Sequence, residues 1–207
     1  MTITEPLSLP ADGLATITWR AKTAAARTQS PFTFNEQVYV HPGRRWIAEI
    51  EVVPITDTVS AGEWEAFFAS CDGPRRRFLV PDPARTSLNG SASGTPVVDG
   101  AQTVRSETLD VRGLTANDPD AFLPGDRIQL GSGVSSRLHA VQTQAGTDGS
   151  GKVTLDIWPS LRSDYADGAS IVTSNCKGVF RLEDNTSEWD VEPPTIYGFK
   201  FTAVEAL

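Results

Sequence analysis

The sequence predicts a mainly β protein: a β-sandwich or barrel domain with one packed α-helix, into which a small β-barrel domain is inserted. Period-two alternation recurs along the 207 residues, one segment has helical spacing, and the middle of the chain has short, evenly spaced strands. We expect residues 1–84 and 177–207 to form a discontinuous outer domain. Residues 85–176 are expected to form the inserted barrel.

The N-terminal part predicts a hairpin. A short run rich in β-branched residues spans 14–19, and alternating apolar residues follow at 32–40 and again at 46–52. The letters HPG at 41–43 separate the last two runs. Pro-Gly connections between alternating runs are typical of turns, so the sequence predicts an antiparallel hairpin that turns at HPG.

The one helical segment is predicted from residue 60 to about 72. Ser60 is placed to cap it, and Glu63 would complete a capping box three residues later. Gly73 and Pro74 would end it. Helical spacing gives the segment one apolar face, which we expect to be buried core against the hairpin sheet and which consists of Trp64, Phe67, Phe68 and Cys71.

The middle of the chain predicts the inserted barrel. The stretch from Ala84 to Gln102 is polar and rich in glycine, which favours a long loop or linker. Five short strand segments then follow, at 107–114, 125–131, 137–144, 152–159 and 169–174. Longer strand segments return after residue 178, and we expect them to complete the first sheet.

The glycine-rich segment at Asp148 has the look of a calcium loop. Counted from Asp148, however, Lys152 stands where an oxygen ligand is needed and Val153 where the turn glycine is needed. Position 12, which should be a glutamate, is Pro159. The sequence therefore predicts a turn that leads into the strand at 152–159.

Composition excludes several classes of function. The net charge of −8 argues against general nucleic-acid binding, because such proteins present a basic surface. No apolar run approaches the roughly 18 residues of a membrane span, and the N-terminus lacks the layout of a secretory signal. We expect synthesis in the cytoplasm, where Cys71 and Cys176 would be reduced and packed, with a single disulfide as the alternative.

The chain has few residues suited to catalysis. His41 and His139, its two histidines, are expected to be structural or surface residues. A Cys–His nucleophile has no family signature here, and no nucleophile-elbow, zincin, P-loop or dinucleotide-binding motif occurs. Two carboxylate pairs have the composition of a glycosidase pair but are expected to be solvated, namely Glu49/Glu51 and Asp118/Asp120. The sequence predicts a protein that is not an enzyme and holds no metal or cofactor.

A basic run stands out in this acidic chain. Arg75, Arg76 and Arg77 form the basic start of a predicted strand segment, RRRFLVPDP at 75–83. A basic run is often simply solvated. The functional interpretation of Arg75, Arg76 and Arg77 is an ionic contact with an acidic partner subunit.

Three stretches together resemble one protein family. The first comprises "VHPGRRWIAEIEV", "EWEAFFASCDGP" and "RRRFLVPDP", and the second is "FLPGDRIQLG…RLHAVQTQAGTDGSGKVTLDIWPSLR". The third is the closing "GVFRLEDNTSEWDVEPPTIYGFKFTAVEAL". In order and spacing they resemble the distal tail proteins, tail-tip hub or adaptor proteins of long-tailed, siphophage-type bacteriophages.

The resemblance implies a structural virion protein at the tail tip. The outer domain would form a ring, commonly a hexamer, that joins the tail tube to the tail-tip hub or baseplate. Its partners would be further copies of itself, the tail tube protein, the tape-measure protein and other hub proteins, and the family has no catalytic residues. The inserted module is expected to be a compact barrel, unlike the larger carbohydrate-binding sandwich of some relatives.

Two other functions stay open at this point. The first is a carbohydrate-binding β module of a tail tip, which recognises host-surface glycans by stacking sugars on Trp158 or Trp189. Exposed, coplanar rings beside a groove would favour it. The second is a hydrolase, which needs two carboxyl groups roughly 5 to 9.5 Å apart in a cleft.

Overall fold

The computed structural model of the protein describes residues 4–11, 14–193 and 195–207. Residues 1–3 and 12–13, which belong to the predicted outer domain, and residue 194 lie outside the described residues. The fold is mainly β, as predicted, with one α-helix, one mixed sheet and one nearly closed six-stranded sheet. The domain boundaries at residues 84 and 176 stay a prediction.

Thirteen strands are present in the described parts of the chain. The strands are β1 Leu7–Ser8, β2 Leu14–Gln29, β3 Glu36–Val52, β4 Phe78–Pro81, β5 Gly94–Val98, β6 Thr108–Leu114, β7 Arg127–Leu130, β8 Arg137–Val141, β9 Val153–Trp158, β10 Ile171–Val172, β11 Lys177–Leu182, β12 Trp189–Glu192 and β13 Ile196–Glu205. The helix α1 spans Thr58–Cys71.

The strands form two sheets. The seven-stranded sheet has the order β1-β4-β11-β13-β3-β2, with β12 paired to the first half of β13. It is mixed because β1 runs parallel to β4. The six-stranded sheet has the order β10-β7-β8-β9-β6-β5, and a bridge between Val97 and Ser170 joins its two ends. A nearly closed barrel results, in agreement with the predicted barrel strands.

The helix starts two residues earlier than predicted. Asp57, not Ser60, is its N-cap: the Asp57 carboxylate accepts a hydrogen bond of 2.8 Å from the backbone N–H of Ser60. The predicted capping box of Ser60 and Glu63 is therefore wrong. Because this bond favours the charged carboxylate, the pKa of Asp57 is lowered. Asp72, in the left-handed conformation, ends the helix.

The predicted apolar face of α1 is buried, as expected. Trp64 stacks on Phe199 of β13 with ring centroids 6.0 Å apart, and Phe67 contacts Phe78 of β4 edge-on at 5.2 Å. The ring centroids of Phe68 and Phe201 are 5.1 Å apart. The helix thereby covers one face of the seven-stranded sheet and forms the larger of the two cores.

The letters HPG at 41–43 do not form a turn. They lie inside β3, which continues from Glu36 to Val52, and its hairpin partner is β2. Val40 pairs with Ala25 and Arg44 pairs with Thr23, so residues 41–43 lie opposite the single residue Ala24. This bulge places Pro42, which has no N–H to donate, where the strand pairing is interrupted. The true turn lies at 30–35.

The stretch from Ala84 to Gln102 is not simply a loop, because β5 lies within it. Its first part is held by the buried carboxylate of Asp126, which accepts hydrogen bonds from the backbone N–H groups of Asn89 and Gly90 at 2.7 and 3.2 Å. The N–H of Leu123 donates to the same carboxylate at 2.9 Å. These bonds give the glycine-rich segment a fixed course that sequence composition does not reveal.

Polar contacts join the two sheets. Arg162 forms an ion pair of 2.7 Å with Glu205, and both side chains are almost entirely buried. The indole N–H of Trp46 donates to the carbonyl of Leu138 at 2.9 Å, and the guanidinium of Arg127 lies 4.7 Å from the Trp46 ring centroid. The sheets are therefore attached through specific side chains and not only through the chain connections.

Candidate functional site

A two-stranded β arm projects from the seven-stranded sheet. It consists of residues 20–43, and we call it the hairpin arm. All of these residues are exposed except Ser30, which is half-buried. The pairing of β2 with β3 continues to Gln29 and Glu36, and the turn is closed by the N–H of Ser30, which donates to Asn35 at 2.9 Å. At about 3.3 Å per residue, the arm reaches roughly 30 Å beyond the core.

The arm exposes apolar side chains that a monomer has no means to bury. Phe32 is 90% exposed and Phe34 is 73% exposed, both in the turn at the tip. Val38, Tyr39 and Val40 are exposed along the shaft. Contiguous exposed apolar groups of this kind mark interaction surfaces. The flanks are basic: Arg20, Lys22 and Arg27 outnumber the single carboxylate Glu36, so the net charge of the arm is +2.

A groove lies at the other end of the same sheet. We call it the acidic groove; it consists of two cavities of about 500 and 390 Å³ that share Glu188 and Lys200 in their walls. Rings from α1, β12 and β13 form its floor. The rings of Phe68 and Trp189 are nearly parallel, with centroids 6.3 Å apart. The floor rings are Phe68, Phe199, Phe201 and Trp189.

The rim of the groove is strongly negative. Residues 183–192 contain five carboxylates and no cation, and every one of these carboxylates is exposed. Within the described part of the chain, none of the five forms an ion pair. The nearby cation, Lys200, is bound to Glu49 at 3.0 Å, which raises the pKa of Lys200 and lowers that of Glu49. The rim is therefore a surface of unpaired negative charge.

The basic run makes contacts within its own chain. Arg75 pairs with Asp72 at 2.8 Å across one turn, and Arg77 pairs with Glu5 at 2.7 Å. Arg76 donates to the carbonyl of Ser70 near the helix end. Arg75 is exposed, so it keeps a free face, and the subunit contact predicted for Arg75, Arg76 and Arg77 stays a prediction.

The two candidate stacking residues differ in their surroundings. Trp158 is half-buried and contacts Trp46 edge-on at 4.4 Å, as part of the packing between the sheets. Trp189 is 38% exposed and lines the acidic groove. The structure does not bring these two rings together in one cavity, so they form no common platform for a sugar.

The histidines and cysteines have structural surroundings. His139 is fully buried in β8, and its Nδ1–H donates to the carbonyl of Pro159 at 2.7 Å. Burial lowers the pKa of His139 to about 4. Burial also raises the pKa of the Cys71 thiol to about 12 and that of Cys176 to about 11, and the two thiols are free. His41 is exposed on the arm, 4.7 Å from the Tyr39 ring.

The carboxylate pairs are also engaged locally. Glu49 is held between Arg20 and Lys200 on the sheet surface, next to Glu51. Asp118 accepts from the hydroxyl of Ser91 at 2.7 and 2.8 Å, and Asp120 accepts from the amide of Gln144. Within residues 4–11, 14–193 and 195–207, no three His, Cys, Asp or Glu side chains are grouped as a metal site would require.

The segment at Asp148 is a turn, as predicted. Its carboxylate accepts from the backbone N–H groups of Ser150 and Lys152 at 2.7 and 2.9 Å, and these bonds lower the pKa of Asp148. Gly151 has φ of +71°, and a Cβ there would lie 2.1 Å from the carbonyl oxygen of Leu114. The Asp148 carboxylate and Gly151 therefore shape the turn that leads into β9.

The comparisons with known proteins identify no family: no family model matches the sequence, and none of the curated proteins is significantly similar to it. Where the structure describes the chain, it contains no helix with the length and apolar character needed to cross a membrane. The surfaces themselves are therefore the basis for a functional proposal.

Neither the arm nor the groove was recognised from the sequence. The alternation at 32–40 indicated a strand with a buried face, whereas Phe32 and Phe34 lie in an exposed turn. A usable signal was the run of β2 beyond Trp19, which lacks large apolar residues and so indicates a strand without a core. The five carboxylates at 183–192 were visible, but their aromatic neighbour Phe68 lies more than 100 residues earlier.

Proposed function

We propose that this protein is a structural, ring-forming component of a phage virion, a distal tail adaptor that joins the tail tube to the tail-tip hub or baseplate. It would be synthesised in the host bacterial cytoplasm and act in the virion at the tail tip. Its function is mechanical and includes no catalytic step, cofactor or metal. Its partners would be further copies of itself, the tail tube protein, the tape-measure protein and other hub proteins.

The observation that carries the proposal is the hairpin arm. A β arm of roughly 30 Å costs conformational entropy to order, and its exposed phenylalanines gain nothing in an isolated chain. Both costs are offset when the arm is buried against another subunit. A further support is β2, whose outer edge has no strand partner among the described residues. Closed symmetric assembly is a common way to cover such edges.

The sequence resemblance contributes the particular kind of assembly. The arm and the open edge favour self-association in general, and the three stretches that resemble distal tail proteins favour a tail-tip ring over other assemblies. The compact barrel of the same chain would then be available for neighbouring hub proteins.

The proposal is tested by the mass and shape of the purified full-length chain. Size-exclusion chromatography with light scattering, followed by negative-stain microscopy of the same peak, should give a closed ring of about six copies with a central hole. Addition of the purified tail tube protein from the same phage should give a stacked complex. A chain that stays monomeric alone and with the tube protein contradicts the proposal.

Trp189 supports a second candidate function, a carbohydrate-binding module that recognises host-surface glycans. It lines a groove with Glu51 and Asp190, and carbohydrate sites combine an aromatic face with polar hydrogen-bonding groups. A glycan array with wild-type protein and the W189A and W158A variants tests this function. Binding that W189A abolishes and W158A leaves intact would favour it, and absence of binding would eliminate it.

A further inference from the structure

We infer that the hairpin arm of one copy docks in the acidic groove of the next copy; this inference rests on the self-assembly proposed above. The arm and the groove are different surfaces of the same chain. A contact between them is therefore head-to-tail, and such a contact closes into a ring when the rotation between copies permits. The occupant of the groove would be the tip and basic flank of the arm, residues 20–43 of a second copy.

The geometry prevents the arm from reaching the groove of its own chain. In the pairing of β3 with β13, Glu51 lies opposite Lys200, which lines the groove, and Ile47 lies opposite Val204. The arm starts at Gly43, beyond the far end of this pairing. Arm and groove therefore lie at opposite ends of one sheet and point away from each other, as a head-to-tail contact requires.

Charge complementarity selects this groove for this arm. The arm has a net charge of +2, and the segment 183–192 places three carboxylates on the groove walls, those of Asp184, Glu188 and Asp190. Within the described residues, none of the three forms an ion pair. Lys22 makes no ion pair within the described residues, and Arg27 keeps most of its side chain exposed although it pairs with Glu36. Opposite charge on two exposed surfaces speeds association and fixes orientation.

Apolar complementarity points to the same match. Phe32 and Phe34 are exposed at the tip, and the floor of the groove presents the edges and faces of aromatic rings. Aromatic side chains are favoured at interface centres, where they pair in edge-on and offset arrangements. The tip itself, residues 30–35, has no charge and so fits the floor, while the cations of the shaft fit the rim.

A rival acceptor lies at the base of the arm. It is an apolar cavity of about 230 Å³ lined by Lys22, Ala24, Gly43, Arg44, Arg45 and Leu207. Its three cations have the same sign as the arm, so docking there would bring like charges together. The acidic groove is therefore the favoured acceptor.

Disulfide trapping identifies the acceptor directly. T33C places a thiol at the arm tip, and T186C places one in the groove. A24C places a thiol at the rival cavity, and S150C is an exposed control on the other sheet. The native thiols are buried. We expect T33C protein mixed with T186C protein to give a disulfide-linked dimer under mild oxidation, with no such product from S150C.

The outcomes separate this inference from the proposed function. Wild-type rings together with no bond between T33C and T186C copies would overturn the docking but leave the ring. A bond from T33C to A24C copies would assign the arm to the rival cavity and also overturn it. A wild-type chain that is monomeric at every concentration, alone and with the tail tube protein, and gives no cross-link would overturn both.

Charge reversal gives a second test that does not depend on thiols. K22E/R27E reverses the arm, and E188K/D190K reverses the rim. Each variant alone should associate about tenfold more weakly than wild type, because attraction becomes repulsion. In an equimolar mixture, each reversed arm meets a reversed groove and each native arm a native one, so alternating rings should form again. Failure of the mixture to assemble better than either variant alone would overturn the inference.

Discussion

The two sheets of this protein end in opposite ways. The six-stranded sheet returns on itself: the N–H of Val98 donates to Ala169, and the N–H of Gly168 donates to Val98, both at 2.9 Å. The seven-stranded sheet ends at β2, which has 16 residues and pairs only with β3 in the described chain. One sheet is complete within the monomer, and the other leaves an edge, an arm and a groove exposed.

This difference shows which groups serve the fold and which are free for assembly. In the closed sheet, polar side chains such as Asp126 and Asp148 satisfy backbone groups of their own chain. In the open sheet, the rings of Phe32 and Phe34 are exposed, and the carboxylates of 183–192 form no ion pair within the described residues. Substitutions in the first class should therefore reduce stability, and substitutions in the second should reduce association and leave stability intact.

The largest expected effect is in the core of the open sheet. Trp64→Ala removes a fully buried ring that packs against Phe199, and large-to-small core substitutions of aromatic residues cost about 3–5 kcal/mol. The free energy of unfolding should fall by that amount in urea titrations. Val59→Ala, on the same helix but 71% exposed, should change it by less than about 0.5 kcal/mol.

In the closed sheet, the largest loss of stability is expected from removal of a buried polar side chain. Asp126→Ala removes a fully buried carboxylate and leaves the backbone donors of Asn89, Gly90 and Leu123, at a partly buried position, without their acceptor. One buried donor without a partner costs about 1–3 kcal/mol. We expect a loss of about 3 kcal/mol in the free energy of unfolding. Asp148→Ala, in an exposed turn, serves as the matched control and should cost less than half as much. Equal losses would show that burial of Asp126 does not matter.

Within the closed sheet, acid should weaken the fold through His139 of β8. The folded pKa is about 4, below the ordinary 6.5, because burial disfavours the charged ring. The contribution of neutral His139 to the free energy of unfolding is therefore fully present above pH 6.5. It falls by about 3 kcal/mol as the pH falls towards 4. Urea midpoints at pH 7, 5 and 4 measure this loss. His139→Gln should be less stable at pH 7 and lose less between pH 7 and pH 4.

The smallest effect on stability is expected in the arm. F32S/F34S replaces two exposed rings at a turn, so the free energy of unfolding of the monomer should change by less than about 0.5 kcal/mol. A thermal unfolding scan at low concentration measures it. A loss of several kcal/mol would show that the tip packs on its own chain.

Local sequence patterns predicted the parts of the fold that depend on local burial. The alternation of Val153, Leu155 and Ile157 predicted β9, and the spacing of Trp64, Phe67 and Cys71 predicted the buried face of α1, because in both cases one face meets a core. The start of α1 was placed two residues late, since Ser60 and Asp57 are both good caps and only the backbone conformation selects between them.

The surfaces could not be predicted in the same way. Pro42 and Gly43 favour a turn locally, but the pairing with β2 carries β3 through them as a bulge. Whether Phe32 is buried depends on whether anything lies above it, which no local pattern contains. The groove requires α1, β12 and β13 to meet, so its aromatic floor and acidic rim become one site only in three dimensions.

The central claim is that the exposed groups of the open sheet serve self-assembly, and the mass of the F32S/F34S variant tests it most directly. Light scattering after size exclusion, at matched concentrations, should give a closed oligomer for the wild type and a monomer for the variant. Both proteins should unfold at the same temperature when diluted to monomers. A variant that assembles as well as the wild type would contradict the claim.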